Sequence, residues 1–237
     1  MIPWISIDAA PVPGGGGVLR LGKRGAEFSI MLGQTELMNS RLSGSEEALA
    51  TMSLARIQGH ERPHVLIGGL GMGFTLRAAL AQLGPDARIT VAELVPAVVA
   101  WARGPMAELF GGSLSDPRVT ILEEDVGGLI RSARAGYDAI LLDVDNGPEG
   151  LTRASNDKLY DAEGLGAARR ALRPGGVLAV WSSGPNKAFA LRLRQMGLAV
   201  EELKVRANGR GGGARHIICI GTNRGHEPRP ARQGQSR

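Results

Sequence analysis

Four stretches of the chain combine glycines and carboxylates in ways that could hold a small ligand and move a proton. The first is His64-Val65-Leu66-Ile67-Gly68-Gly69-Leu70-Gly71-Met72-Gly73-Phe74-Thr75-Leu76, an apolar strand followed by glycines at alternate positions and then a helical pattern. Gly69, Gly71 and Gly73, with Leu70 in the same turn, let a nucleotide-like ligand approach the backbone where a Cβ would collide with it; a turn built only for sheet-to-helix packing would look similar. The second stretch, Ile89 to Leu94, ends in Glu93, whose carboxylate can accept hydrogen bonds from both hydroxyls of a ribose, with Leu94 beside it. The third, Glu123-Glu124-Asp125-Val126, puts Asp125 and Val126 after another strand. A carboxylate there can hold the exocyclic amine of an adenine or cap the next helix. The fourth, Tyr137 to Pro148, delivers Asp143 to the carboxyl edge of the sheet, where open α/β sheets bind ligands, and a loop with Asp145 and Glu149 follows. Carboxylates at that edge can bind an amine or take its proton. Asp143 and Asp145 are therefore the candidate catalytic groups, and Asp143 also faces the bound ligand. The four histidines, His60, His64, His216 and His226, lack metal-ligand spacing, and Cys219 stands alone in an apolar run, so no metal site is expected.

These groups need a scaffold, and the hydrophobic pattern supplies one. Strand-like runs at 64–68, 88–93, 118–122, 138–143 and 176–182 alternate with amphipathic stretches at 73–83, 95–110, 126–134, 159–172 and 186–196. Two further strands, 198–206 and 215–221, flank a loop whose glycines suit a hairpin rather than a crossover. The expectation is a Rossmann-like α/β fold, a mostly parallel seven-stranded sheet that ends in a C-terminal antiparallel hairpin. Ahead of it, residues 1–60 read as a small N-terminal β-unit and a first helix. The β-unit is a hairpin of Val18–Leu21 with Ala26–Leu32; Ser43 or Ser45 caps the helix, which runs to about Ile57, and Gly14–Gly17 form a flexible connector. Residues 61–221 form the ligand-binding domain, and 222–237 a disordered basic tail.

Composition sets limits on function. The 237 residues, 43% hydrophobic and 22% charged, suit one α/β domain with an appendage and exclude wholesale disorder. No apolar run is long enough to span a bilayer, and Met1-Ile2-Pro3-Trp4 has no signal-peptide character, so a cytoplasmic protein without membrane contact is expected. Much of the +5 net charge comes from Arg224, Arg229, Arg232 and Arg237 against Glu227, which leaves the body nearly neutral. A nucleic-acid role through this tail is the lesser reading.

Glycine spacing of GxGxG rather than GxGxxG, with the hairpin ending, sets a dinucleotide reading aside and is similar to the class I AdoMet-dependent transferases. More closely, residues 18 to 221 resemble the spermidine synthase family of aminopropyltransferases and its methyltransferase-like relatives. The resemblance rests on Ser45-Glu46-Glu47 at the first helix, the glycine loop, Glu93, Asp125, Tyr137-Asp138 through Asp143, and Leu172-Arg173-Pro174-Gly175-Gly176. It implies that Gly69, Gly71 and Gly73 pass the cofactor, that Glu93 binds its ribose, that Asp125 with Val126 faces its adenine, and that Asp143 stands beside the transferred group. It also favours a homodimer. Several positions depart from the family pattern: Met72 replaces an aspartate of the glycine loop, Ser45-Glu46 replaces Tyr followed by His or Gln, Asn146 a second aspartate, and Trp181 a glutamine. With those polyamine contacts gone, the sequence favours methyl transfer from S-adenosylmethionine to a small-molecule nucleophile. Aminopropyl transfer from decarboxylated S-adenosylmethionine, using Glu46, Glu47, Asp143 and Asp145, is the alternative. A catalytically silent nucleoside- or RNA-binding scaffold is a third reading.

Overall fold

A computed structural model describes residues 2–144, 158–208 and 212–225. Two sheets organise it. A seven-stranded sheet has the order β10-β11-β9-β8-β5-β6-β7, formed by β5 (His64–Gly68), β6 (Arg88–Ala92), β7 (Val119–Leu122), β8 (Tyr137–Leu142), β9 (Leu172–Ser182), β10 (Ala199–Asn208) and β11 (Gly212–Thr222). The strands β5 to β9 pair in parallel and the β10–β11 hairpin joins β9 antiparallel, which is the expected topology. Helices cover both faces because the strands alternate two apolar sets: Val65 and Ile67 pack on one side, Leu66, Ile140 and Leu142 on the other.

The expected helices appear with physical adjustments. The stretch 95–110 is split into α3 (Pro96–Arg103) and α4 (Ala107–Phe110), because Pro105 lacks an amide and disfavours helical backbone at Gly104. The first helix, α1 (Gly44–Leu54), precedes α2 (Phe74–Gln82) in the chain and ends in a 3-10 turn, Ala55–Ile57. Neither expected serine caps it through its side chain: Ser43 occupies the cap position without such a bond, and Ser45 is buried inside the first turn. On the other face lie α5 (Val126–Ser132), α6 (Ala162–Ala171) and α7 (Lys187–Gln195). No helix of the described residues is long and apolar enough to cross a membrane.

The N-terminal unit is larger than a hairpin. It is a four-stranded antiparallel meander of β1 (Ile5–Pro11), β2 (Val18–Arg24), β3 (Glu27–Leu32) and β4 (Thr35–Asn39). Gly14 to Gly17, expected to be a flexible connector, make the β1–β2 turn, closed by the Val12 amide on the Gly17 carbonyl at 2.9 Å. The unit is tied to the large sheet's helices by Trp101 Nε1, which donates to Asp8 Oδ2 at 2.7 Å from a ring buried in the core. The first residues of the expected disordered tail are fixed against the sheet: Thr222 pairs with Val177, and the Asn223 side chain donates to the carbonyls of Leu172 and Arg173. Beyond 225 the tail lies outside the described residues.

Candidate active site

Strand β5 ends in Gly68, and the chain then turns sharply across the carboxyl edge of the sheet. Gly69 has φ +91°, and a Cβ there would lie 2.5 Å from the Asp143 carbonyl oxygen, so glycine is required to let the loop and the end of β8 touch. Gly73, with φ +76°, opens α2; a Cβ there would strike the Phe110 ring at 2.4 Å. Gly73 thus serves helix packing and borders the second of two clefts described below, whereas Gly69 and Gly71 line the first. Gly69→Ala should therefore displace Asp143 as well as strain the loop. We expect a loss of about 2 kcal/mol or more in denaturant unfolding and a matching loss of ligand binding; unaltered stability would show that the loop yields freely.

Glu93 follows β6 and is buried. Its two oxygens accept from the Leu70 and Val95 amides, both at 2.9 Å, so this carboxylate staples the glycine loop to the neighbouring strand end. Burial raises its pKa, against the lowering effect of those backbone bonds. Leu70 serves through its amide and points to the other cleft. Asp125 is the side-chain N-cap of α5, accepting from the Gly127 amide at 3.0 Å, and it also borders the cleft beside Val126. The two readings of that carboxylate are compatible, since an N-cap uses one lone pair of one oxygen.

These residues line a cleft whose floor is Gly69, Gly71, Glu93, Leu94, Asp125 and Val126. Its roof comes from the N-terminal sheet through Val12, Leu19, Leu32, Leu37 and Met38, none of which the sequence marked as functional. A second cleft lies on the other side of the loop, bounded by Ser45, Glu46, Met72, Phe74, Trp181 and His216. Both clefts include Leu37, Met38, Gly71 and Asp143, so the two spaces meet at Asp143.

Asp143 is held by the Thr75 hydroxyl, which donates to Oδ2 at 2.8 Å. Its surroundings push its pKa up to about 7, chiefly by desolvation and then by the negative charge of Glu46. Glu46 is itself raised, mainly by burial, although the Ser45 hydroxyl bonded to it acts the other way. The two carboxylates therefore form an acidic pair that binds protons more readily than ordinary side chains do. Glu47, expected in the same group, is exposed on the outer face of α1 and does not line either cleft. Asp145, Asn146 and Glu149 lie outside the described residues. Trp181 does line the second cleft, and its Nε1 is buried without a hydrogen-bond partner, which leaves a donor unspent in that wall. Asp138, by contrast, lies at the amino end of β8, where it accepts from the His64 amide at 2.7 Å and pairs with Arg173 at 2.7 Å, a structural role away from the clefts.

Comparison with known proteins places this arrangement. Residues 43–191 match the family model described as the spermine/spermidine synthase domain. Polyamine aminopropyltransferase 1 of Streptomyces coelicolor is 39% identical over 127 residues, 52% of this chain and 23% of that protein. Polyamine aminopropyltransferase of Mycobacterium tuberculosis H37Rv is 35% identical over 124 residues, 51% of this chain and 23% of that protein. The matched stretch is thus less than a quarter of either relative's length. A crystal structure of spermidine synthase in complex with the transition-state analogue AdoDATO superposes with a TM-score of 0.74 at 19% identity, covering 93% of this chain and 74% of the other, a likeness of fold. These findings overturn the preference for methyl transfer. That preference rested on Met72, Ser45-Glu46, Asn146 and Trp181 standing where the family has polyamine contacts; in the structure Glu46 on α1 lines the second cleft with Asp143 and acts on it electrostatically.

Proposed function

Since the chain belongs to the spermine/spermidine synthase family, we propose that it transfers an aminopropyl group from decarboxylated S-adenosylmethionine to a small amine. The observation that carries this reading is the meeting of two clefts at Asp143, one suited to a nucleoside and the other to an amine. The donor's adenosyl part fits the first cleft on the chemistry of its walls. At Gly71 a Cβ would meet only the Met38 sulfur, at 3.3 Å, so the loop backbone faces open cleft there. Glu93 retains lone pairs for ribose hydroxyls beyond the two it spends on amides, and Asp125 with Val126 would border the base. When bound, the donor supplies a sulfonium-activated carbon with a neutral thioether leaving group.

The chain's own part is positioning and proton removal. An amine reacts only through its free lone pair, so an ammonium entering the second cleft must first lose a proton. Asp143, with a pKa near 7, is matched to that task at neutral pH, and Thr75 fixes the carboxylate's orientation. Glu46 adds the negative charge that attracts the cation and holds the pair's proton affinity up. Holding both substrates at one junction converts a bimolecular encounter into an intramolecular one.

Calorimetric titration with decarboxylated S-adenosylmethionine and with S-adenosylmethionine, after denaturing a sample to check for carried-over ligand, isolates one carboxylate. A third negative charge beside Asp143 and Glu46 is unfavourable, so the decarboxylated form should bind at least about tenfold tighter, or about 1.4 kcal/mol. Incubation with that donor and a panel of primary amines should then give amine products heavier by one aminopropyl unit in mass spectra. Preference for S-adenosylmethionine, or no such product from any amine, would overturn the proposal.

A further inference from the structure

The acidic pair is connected to the half-exposed edge of the C-terminal hairpin. Ser45 is buried, and its hydroxyl donates to Glu46 Oε2 at 2.7 Å while lying 3.0 Å from His216 Nδ1. A hydroxyl has one proton and two lone pairs, so these contacts admit two orders. With Glu46 ionised, Ser45 donates to it and His216 Nδ1–H donates to Ser45. With Glu46 protonated, Glu46 donates to Ser45 and Ser45 donates to Nδ1. The orders differ by the passage of one proton from Glu46 to the imidazole.

We propose that Ser45 and His216 form the exit through which the proton released by the amine leaves the Glu46–Asp143 pair, a proposal that rests on the aminopropyl-transfer reading above. The balance requires such an exit. The ammonium N–H bond breaks and its proton goes to the carboxylate pair; the freed electron pair forms the N–C bond as the S–C bond breaks, and its electrons stay on sulfur. One proton per turnover must then leave the carboxylate pair. Taken up by Asp143 and passed to Glu46 across the cleft that both border, it shifts along Glu46, Ser45 and Nδ1 and departs from Nε2 to solvent. His216 is set for this by its place in the wall of the second cleft, its ring tilted against Trp181 with centroids 4.7 Å apart. The charged groups around it are few. From α1 it faces Glu46, with Glu47 turned to solvent, and Asp143 lies across the cleft at the end of β8. From β10 its register partner is Val205, while Lys204, Arg206 and the adjacent Arg215 alternate to the other face of the hairpin. From β9 it faces Trp181. Burial lowers the imidazole's pKa, which favours release of a proton from the ring.

His216 on this proposal is a positioning and relay residue, and its test separates relay from support. His216→Asn keeps an N–H near the δ position for Ser45 but cannot carry a proton. In that variant kcat should fall by about tenfold or more with the KM for the amine unchanged, and added imidazole should restore the rate in proportion to its concentration. Ser45→Ala should lose kcat similarly, while Ser45→Thr, which retains the hydroxyl, should recover it. Wild-type kcat in His216→Asn, or a loss that imidazole does not relieve, would overturn the relay. A readout independent of turnover is the NMR titration of the His216 ring in the wild type and in Glu46→Gln: neutralising Glu46 should lower the imidazole pKa. An unmoved titration would disprove the coupling whatever group is transferred, whereas absence of aminopropyl product from the wild type would defeat the parent reading alone.

Discussion

Asp143→Asn should fold normally and lose turnover by about 10²–10⁴-fold, the range associated with removing a general base. Asparagine is isosteric and its carbonyl oxygen can still accept from the Thr75 hydroxyl, which now donates to Asp143 at 2.8 Å, so the loop and the end of β8 keep their geometry. What disappears is the capacity to take a proton. Affinity for the donor should change by no more than about threefold, or about 0.6 kcal/mol, because the ribose and base are held elsewhere. The pH dependence gives a second signature. Asp143 must be ionised to act as a base, and its pKa is pushed up to about 7, so wild-type kcat should rise as pH increases through about 7 and level off above it. The variant's residual rate should lack that step. Stability moves in the opposite sense. A carboxylate with a folded-state pKa above its unfolded value of 3.8 binds more protons folded than unfolded, so its contribution to stability declines as pH rises from about 4 to 7. Asp143→Asn is relieved of that penalty and should unfold at the same denaturant concentration as the wild type or a higher one at pH 8. Wild-type turnover in the variant would remove Asp143 from the chemistry; a lower midpoint at pH 8 would mean that the carboxylate is structural.

Such a result would test how far the site can be read from the chain alone. The glycine loop, Glu93, Asp125 and Asp143 were legible because each sits at a strand end, and strand ends follow from hydrophobic periodicity. Apolar runs such as Ile140-Leu141-Leu142 leave little choice about where the chain emerges at the carboxyl edge of the sheet. The cleft roof was not legible. Strands β1 and β4 are largely exposed and carry weak patterns, Ile-Ser-Ile-Asp-Ala-Ala-Pro and Thr-Glu-Leu-Met-Asn, so the hairpin of β2 and β3 stood out while its two partners did not. Their role as a lining depends on where the whole sheet docks, which no local pattern encodes. The same limit applies to the second cleft. Ser45 and His216 are separated by 171 positions, and only the packing of α1 against the hairpin brings them together. The aminopropyl alternative already grouped Glu46 with Asp143, but sequence order does not show that these two border one space while Glu47 is turned away from it. Gly73 shows the converse, a motif glycine that the fold needs for Phe110.

Glu93→Ala should act through binding and stability, with little effect on chemistry. The carboxylate is 8% exposed and accepts from the Leu70 and Val95 amides. Truncation leaves both amides without their acceptor and opens space behind the glycine loop. A buried amide left unpaired costs about 1–3 kcal/mol, but the burial that raises the pKa of Glu93 shows that holding this charge is itself unfavourable, which offsets part of the loss. A net loss of about 2 kcal/mol is expected, seen as a fall in Tm of roughly 4–8 °C. Donor affinity should weaken more, because hydrogen bonds from ribose hydroxyls to a carboxylate are charge-assisted and worth about 1.5–3 kcal/mol, which is roughly 10- to 150-fold in Kd for one such bond. At saturating donor, kcat should stay within about threefold of the wild type, since a uniform binding contribution raises KM alone when it is removed. Glu93→Gln separates the two roles. The amide oxygen can replace one acceptor, but its NH2 meets the second backbone N–H donor to donor, so part of the staple is lost while a ribose hydroxyl can still bond to the amide oxygen. Its Kd should fall between those of the wild type and Glu93→Ala. If Glu93→Ala lowers Tm yet leaves the donor Kd unchanged, Glu93 is only the fastening of the glycine loop and takes no part in holding the ribose.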